Sequence, residues 1–210
     1  MSQAFNFFIG QYLDYSPINI ALEITGVTFG LISVLYARKN MVLVYPSGMI
    51  STAIFVYLLF EWSLLGDMLI NAYYFLVSIY GWIYWSKKNG KEYLNQVSLV
   101  SERDAKISAV IFFLSLTFIF CVYQIFDKSQ DWTSYVDILT TGIFFVGMWL
   151  MARRKIENWI FWIIGDIISI PLYFYKGLII TSLQYLIFTI IAFFGYRTWK
   201  KILNKSDLTY

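Results

Sequence analysis

Histidine is absent from this 210-residue chain, cysteine occurs once and proline three times. Without histidine there is no usual haem ligand, no common zinc ligand and no general base that titrates near neutral pH. A single cysteine, Cys121, excludes an intramolecular disulfide, and its apolar surroundings predict a small buried hydrophobe. Charge is scarce too: 14% of residues are charged against 59% apolar, too few to coat a water-soluble fold. No GxxxxGK(S/T) phosphate loop, GxGxxG turn, HExxH or paired-cysteine spacing occurs, so no cofactor, no metal and no ATP hydrolysis within the chain are expected. What the chain has instead is aromatic residues, 21% of the total with eight tryptophans, in long apolar runs. Such a composition belongs to an integral membrane protein whose first partner is the lipid bilayer.

Seven runs approach the ~20 apolar residues a spanning helix needs: 18–36, 42–60, 67–85, 107–126, 134–152, 157–175 and 179–197. They lack the polar–apolar alternation of outer-membrane strands, so they read as helices. The N-terminal stretch MSQAFNFFIGQYLDYSP has no basic region and no small-residue cleavage site, so no signal peptide is expected. Phe5, Phe8, Ile9, Tyr12 and Leu13 repeat there at helical spacing, as in a short interfacial helix, with a frayed tail as the alternative. Fourteen of the Lys and Arg residues fall on one side of a seven-span chain, and two, Lys128 and Lys176, on the other. Positive charge marks the cytoplasmic side, placing the N-terminus outside and the C-terminus inside. Topology and anionic lipid thus explain the basic loops, and no nucleic acid is needed.

The chain also resembles itself at an offset of about 115 residues. EITG (23–26) aligns with DILTTG (137–142), LYARKN (35–40) with LMARRK (150–155), and YGWIYWSKK (80–88) with FGYRTWKKI (194–202). One helix between two three-helix repeats restores the starting side, so the halves lie parallel. The predicted organisation is an outer segment (1–17), a first three-helix repeat (18–86), a cytoplasmic loop and linker helix (87–133), a second repeat (134–202) and a cytoplasmic tail (203–210). Parallel halves facing one another enclose a pocket near the bilayer midplane, the usual place for a carried substrate.

Polar groups in the apolar runs are the candidates for that pocket, because each is costly in lipid unless it faces protein or water. In NWIFWIIGD (158–166) a helical pitch puts Asn158, Trp159, Trp162 and Asp166 within about 100° of one another, with Ser169 and Tyr173 continuing the stripe. Asp166 is central to its run and reads as facing a cationic ligand, or else as hydrogen-bonded to a neighbouring helix. Trp162 offers a flat face for stacking or cation–π contact, and Trp159 is equally explained by the interfacial aromatic belt. Asn71 and Gln184 hold nearly equivalent places in the two halves, as amides for a polar ligand or as interhelical glue. Glu23 adjoins GVTFG, whose glycines signal close helix packing, and is a candidate gate or outer charge. Pro46 and Pro171 can kink the second helix of each half. Gln124 and Asp137 are expected to be solvated.

NWIFWIIGD, DIISIPLYFYKGLIITSLQYLIF (166–188), FGYRTWKK (194–201) and YGWIYW (80–85) together resemble the PnuC family of bacterial vitamin transporters, over essentially the whole chain. The resemblance implies a full-length, SWEET-like fold of three, one and three helices that moves nicotinamide riboside, with thiamine or riboflavin carried by relatives. It implies facilitated diffusion with trapping by a cytosolic kinase, and its W-x-x-W stretch with a polar residue four positions on maps to Trp159, Trp162 and Asp166. A vitamin carrier of the cytoplasmic membrane, with room for a homo-oligomer, is the leading expectation. A membrane enzyme is disfavoured by the missing histidine and nucleophile–base pair, and a scaffold subunit has no need of a carboxylate at membrane depth. Proton coupling through Asp166 or Glu23 stays open.

Overall fold

The structure is a computed structural model that describes residues 16–62, 65–90, 92–125 and 131–207. The N-terminal stretch 1–15, with the interfacial helix expected there, lies outside the described residues, as do 126–130 in the loop before 132 and the last three positions of the tail. Seven helices follow in order among the described residues: α1 (Pro17–Arg38), α2 (Val44–Glu61), α3 (Leu65–Ser86), α4 (Glu102–Ile125), α5 (Trp132–Ala152), α6 (Asn158–Tyr175) and α7 (Ile179–Asp207). A two-residue hairpin of β1 (Lys88–Asn89) and β2 (Glu92–Tyr93) sits in the linker between α3 and α4. Among the described residues five helices, α1, α2, α4, α5 and α6, are long and apolar enough to cross a membrane.

Each expected run becomes a helix, with shifts where charged turns extend an apolar core. α4 begins at Glu102 rather than 107, and α7 continues to Asp207 rather than stopping at 197. Hydropathy marks the apolar part of a helix, whereas backbone hydrogen bonding continues into its solvated turns. Local chemistry sets the starts: the Ser16 side chain accepts from Asn19 N with Pro17 at the first helical position, and Asp131 accepts from Thr133 N and Ser134 N. Pro46 lies in the first turn of α2, where no intrahelical N–H bond is lost, and Pro171 lies inside α6.

α1, α2 and α3 pack on one another in sequence, as do α5, α6 and α7. The triplets meet through α3 against α5 and α1 against α7, while α4 lies to one side against α5. α5 is consequently the most enclosed helix, and α4 among the least. That peripheral position corrects the expectation for Cys121, which is exposed on α4. A residue facing lipid and one facing protein look alike in sequence when both surroundings are apolar. GVTFG does mark close packing: a Cβ at Gly26 would sit 3.2 Å from Ile54 and Phe55 of α2.

The internal repeat has a structural register of 114 positions, the separation of Asn40 from Arg154. These two residues end the turns after α1 and α5 with φ of 55° and 59°, a left-handed conformation that asparagine accepts readily and arginine does not. The strain at Arg154, about 1 kcal/mol or more, is held by the partners of its side chain: Asn40 Oδ1 at 2.9 Å, the Asn95 carbonyl, and the Trp85 ring 4.4 Å away.

Candidate functional site

Between the two triplets lies a cavity of about 280 Å³. Its second-triplet wall is aromatic: Phe144 from α5, Trp159 and Trp162 from α6, Tyr185 and Phe188 from α7. Its first-triplet wall is made of small residues, Gly30 and Ser33 from α1, Gly48, Ser51 and Thr52 from α2, with Tyr74 and Ser78 from α3. Phe144 stacks on Trp162 with centroids 5.4 Å apart and lies near-parallel to Tyr185, at 6.0 Å and 7° between planes. Asp166 is 2% exposed on this wall. Three ion pairs occur among the described residues, Arg153–Asp104, Lys155–Asp104 and Lys176–Asp137, and Asp166 is in none of them. Trp162 Nε1 is buried and has no hydrogen-bond partner among the described residues.

Trp159, Trp162 and Asp166 thus come together as expected from their helical spacing. Asn71 does not join them: it lines a second cavity and donates from Nδ2 to the Asp67 carbonyl at 3.0 Å. Asn158 is fully buried at the start of α6, donating to the Lys155 carbonyl, and lines neither cavity. Gln184 and Glu23 also stand outside both walls. Helical phase told which residues of α6 share a face, but not which helix lies opposite α3 or α7. The small residues of α1 and α2 do not stand out in the sequence as site residues, because glycine and serine in a membrane helix read first as packing. Their repeat counterparts supply the missing signal: Gly48 corresponds to Trp162, and Thr52 to Asp166.

The cavity is closed at the linker end by a four-ring cluster related by the repeat. Trp85 of α3 donates from Nε1 to the Met151 and Ala152 carbonyls at the end of α5, and Trp199 of α7 donates to the Ala37 carbonyl near the end of α1 at 2.9 Å. Each triplet therefore grips the first helix of the other. Tyr45 meets Trp85 edge-on at 5.1 Å, and Trp159 meets Trp199 edge-on at 5.6 Å. The partner helix must lack a side chain at each crossing: a Cβ at Gly195 would fall 2.6 Å from the Trp159 ring, and one at Gly81 would collide with Tyr45. Trp159 accordingly both lines the cavity and plugs its end.

The linker reinforces this closure. Ser98 pairs with the strand-like turn at Lys155, donating to the Arg154 carbonyl and accepting from Ile156 N at 3.0 Å. Asp104, 2% exposed at the start of α4, receives Arg153 Nε at 3.2 Å, Lys155 Nζ at 3.1 Å and the Ser101 hydroxyl at 2.6 Å. Burial opposes its ionisation, but bonds from Ser101, Lys155 and Arg153 and the Lys155 charge outweigh it and hold the carboxyl at about 2.

At the opposite end is a polar cavity of about 620 Å³ whose wall includes Asp67, Asn71, Asp131 and Asp137. Tyr74, Phe144 and Tyr185 line both cavities, forming the aromatic layer between them. Asp137, expected to be solvated, is half-buried and bonded to Lys176 across the helix ends. Its partner comes from a turn 39 residues on, which no local reading reveals.

A bundle with an apolar exterior, holding an aromatic chamber between two three-helix groups, is built as a membrane transporter. The profile of the family described as nicotinamide mononucleotide transporter matches residues 20–201, and the chain belongs to that family. It is 25% identical over 205 residues to the nicotinamide riboside transporter PnuC of Escherichia coli (strain K12), covering 85% of this chain and 84% of that one. It is likewise 25% identical over 182 residues to the riboflavin/roseoflavin transporter RibM of Streptomyces davaonensis, covering 84% and 83%. A crystal structure of the vitamin B3 transporter PnuC shares the fold, with a TM-score of 0.66 over 98% of this chain and 94% of that one at 19% identity. The chain is a transporter and not an enzyme.

Proposed function

We propose that the protein carries nicotinamide riboside across the bacterial cytoplasmic membrane by facilitated diffusion, with phosphorylation by a cytosolic kinase trapping the product inside. The observation that carries this reading is Asp166, a carboxylate on the wall of an aromatic chamber and outside the ion pairs of the described residues. A pyridinium ring stacked on Trp162 would bring its positive charge to that carboxylate. The cavity of about 280 Å³ is just below the roughly 300–1,000 Å³ of ligand pockets, which favours one ring with a sugar-sized appendage over an isoalloxazine. The same carboxylate suits the cationic thiazolium of thiamine, the second reading.

The chamber works as a carrier in this proposal through seven spans arranged as three, one and three. α1–α3 and α5–α7 form the parallel triplets and α4 the linker span, with the N-terminus outside and the C-terminus in the cytoplasm. Alternating access would part the Trp85–Trp199 closure at one end and the Tyr74–Phe144–Tyr185 layer at the other. Liposomes containing the purified protein, loaded with radiolabelled nicotinamide riboside, thiamine or riboflavin, test the reading. The expected result is equilibration of nicotinamide riboside without ATP or an imposed pH gradient. Accumulation that follows a proton gradient, or transport of riboflavin alone, would overturn it.

A further inference from the structure

The cavity does not sit symmetrically between the triplets, and the reason lies in two helix crossings. In the second triplet Phe144 of α5 rests on Gly165 of α6, and Trp162 of α6 lies across Gly147 of α5, so each crossing sets a large ring on a glycine. At the repeat-equivalent crossings of the first triplet, Gly30 meets Ser51 and Gly48 meets Ser33. A Cβ at either glycine would fall 3.0 Å from the opposing serine Oγ. All four of these small residues line the cavity, together with Phe144 and Trp162. Much of the open space is therefore the volume that the first triplet's counterparts of two aromatic rings would fill.

Resting on the vitamin-carrier reading, we propose that Gly48, the repeat counterpart of Trp162, is a specificity-determining residue that sets the size of the vitamin admitted, with Gly30 beside it. A side chain at position 48 leaves α2 as that of Trp162 leaves α6. It crosses position 33 and then runs into the chamber, towards the wall that carries the second triplet's rings. Ser33 cannot simply swing away, because its hydroxyl donates to the Val44 carbonyl at 2.8 Å. Glycine at 48 thus leaves room for the part of the vitamin that projects beyond the stacked ring, and the backbone of α2 becomes one of its walls. Asp166 reads the ligand's charge, and Gly48 reads its length.

The test transplants the second triplet's arrangement into the first. Ser33→Gly/Gly48→Leu places a large side chain over a glycine, and Ser33→Gly alone is the reference against which the added leucine is scored. Proteins that pass a melting check are compared with wild type for binding of nicotinamide riboside, thiamine and riboflavin. In parallel, Thr52→Cys on the cavity wall, in a Cys121→Ser background, is labelled with a small and a bulky methanethiosulfonate reagent. The expected result is a loss of roughly tenfold or more for whichever vitamin wild type binds best, since even one misplaced methylene costs about that much. The loss is scored relative to Ser33→Gly, and the bulky reagent is excluded from the double variant while the small one still reacts. Unchanged vitamin binding or unchanged bulky labelling in the folded double variant would overturn the proposal. Wild type that binds none of the three vitamins would sink the carrier reading instead, and the two labelling rates would then decide the sizing role by themselves. Should the double variant not fold, Gly48→Ala, with its smaller side chain, is scored by the same two ratios.

Discussion

At the residue scale the chamber depends on pairing a ring with a charge. Trp162 is stacked on Phe144, so its second face or its edge is what a ligand can meet. Removing an aromatic stacking partner costs about 1–3 kcal/mol, or roughly tenfold to a hundredfold in affinity. Trp162→Ala is therefore expected to weaken vitamin binding by that factor in calorimetry while leaving insertion intact. Asp166→Asn keeps shape and hydrogen-bonding capacity but removes charge, so it should weaken nicotinamide riboside more than the reduced, uncharged riboside. Equal losses for the two ligands would make Asp166 a helix-packing residue. These positions were readable because a carboxylate and two indoles in an apolar run are costly anomalies. Gly30 and Gly48 were not, since a glycine that opens a cavity and one that closes a helix contact are written alike. Asn71 was legible as a polar candidate, yet it belongs to the second, polar cavity, because depth along α3 depends on where α5 crosses it.

At the scale of elements, the linker and the turn after α5 act as a clasp beneath the tryptophan closure. Asp104 ties the start of α4 to Arg153 and Lys155, so the clasp carries a pH signature. Its carboxyl is held at about 2, below the ordinary aspartate value of about 3.9. A depressed folded-state pKa adds stability that is complete above the unfolded value and disappears as pH falls through the folded one. The melting temperature of wild type should thus fall more steeply than that of Asp104→Asn between about pH 4 and pH 2. Parallel curves for the two proteins would show that the clasp does not stabilise the fold. The helices themselves were legible from apolar runs, and their caps from Ser16–Pro17 and Asp131. The clasp was not, because it joins residues about fifty positions apart through one bridge and a few side chains in what reads as a polar loop.

At the scale of the molecule, the sequence repeat had a physical consequence that pattern matching understated. YGWIYW and FGYRTW align as similar ends of two helices, and in the structure their Trp85 and Trp199 make the equivalent cross-triplet bonds that shut the chamber. Both tryptophans lie at the linker end, where Arg154 sits over the Trp85 ring, Arg38 ends α1 and Arg153 caps α5. α7 runs on past its apolar part as a helix bearing Lys200, Lys201 and Lys205. Basic residues gathered at one end of the bundle predict that this end faces the cytoplasm. Glu61, at the end of α2, and Glu102, at the start of α4, are exposed and belong to opposite ends. Native Cys121 is exposed on α4, so it must first be replaced by serine. In that background a membrane-impermeant maleimide added to intact cells should label Glu61→Cys and leave Glu102→Cys unlabelled until the membrane is opened. Labelling of Glu102→Cys from outside would invert the molecule. It would also place the clasp, rather than the polar cavity of Asp67 and Asp137, on the side from which the vitamin arrives.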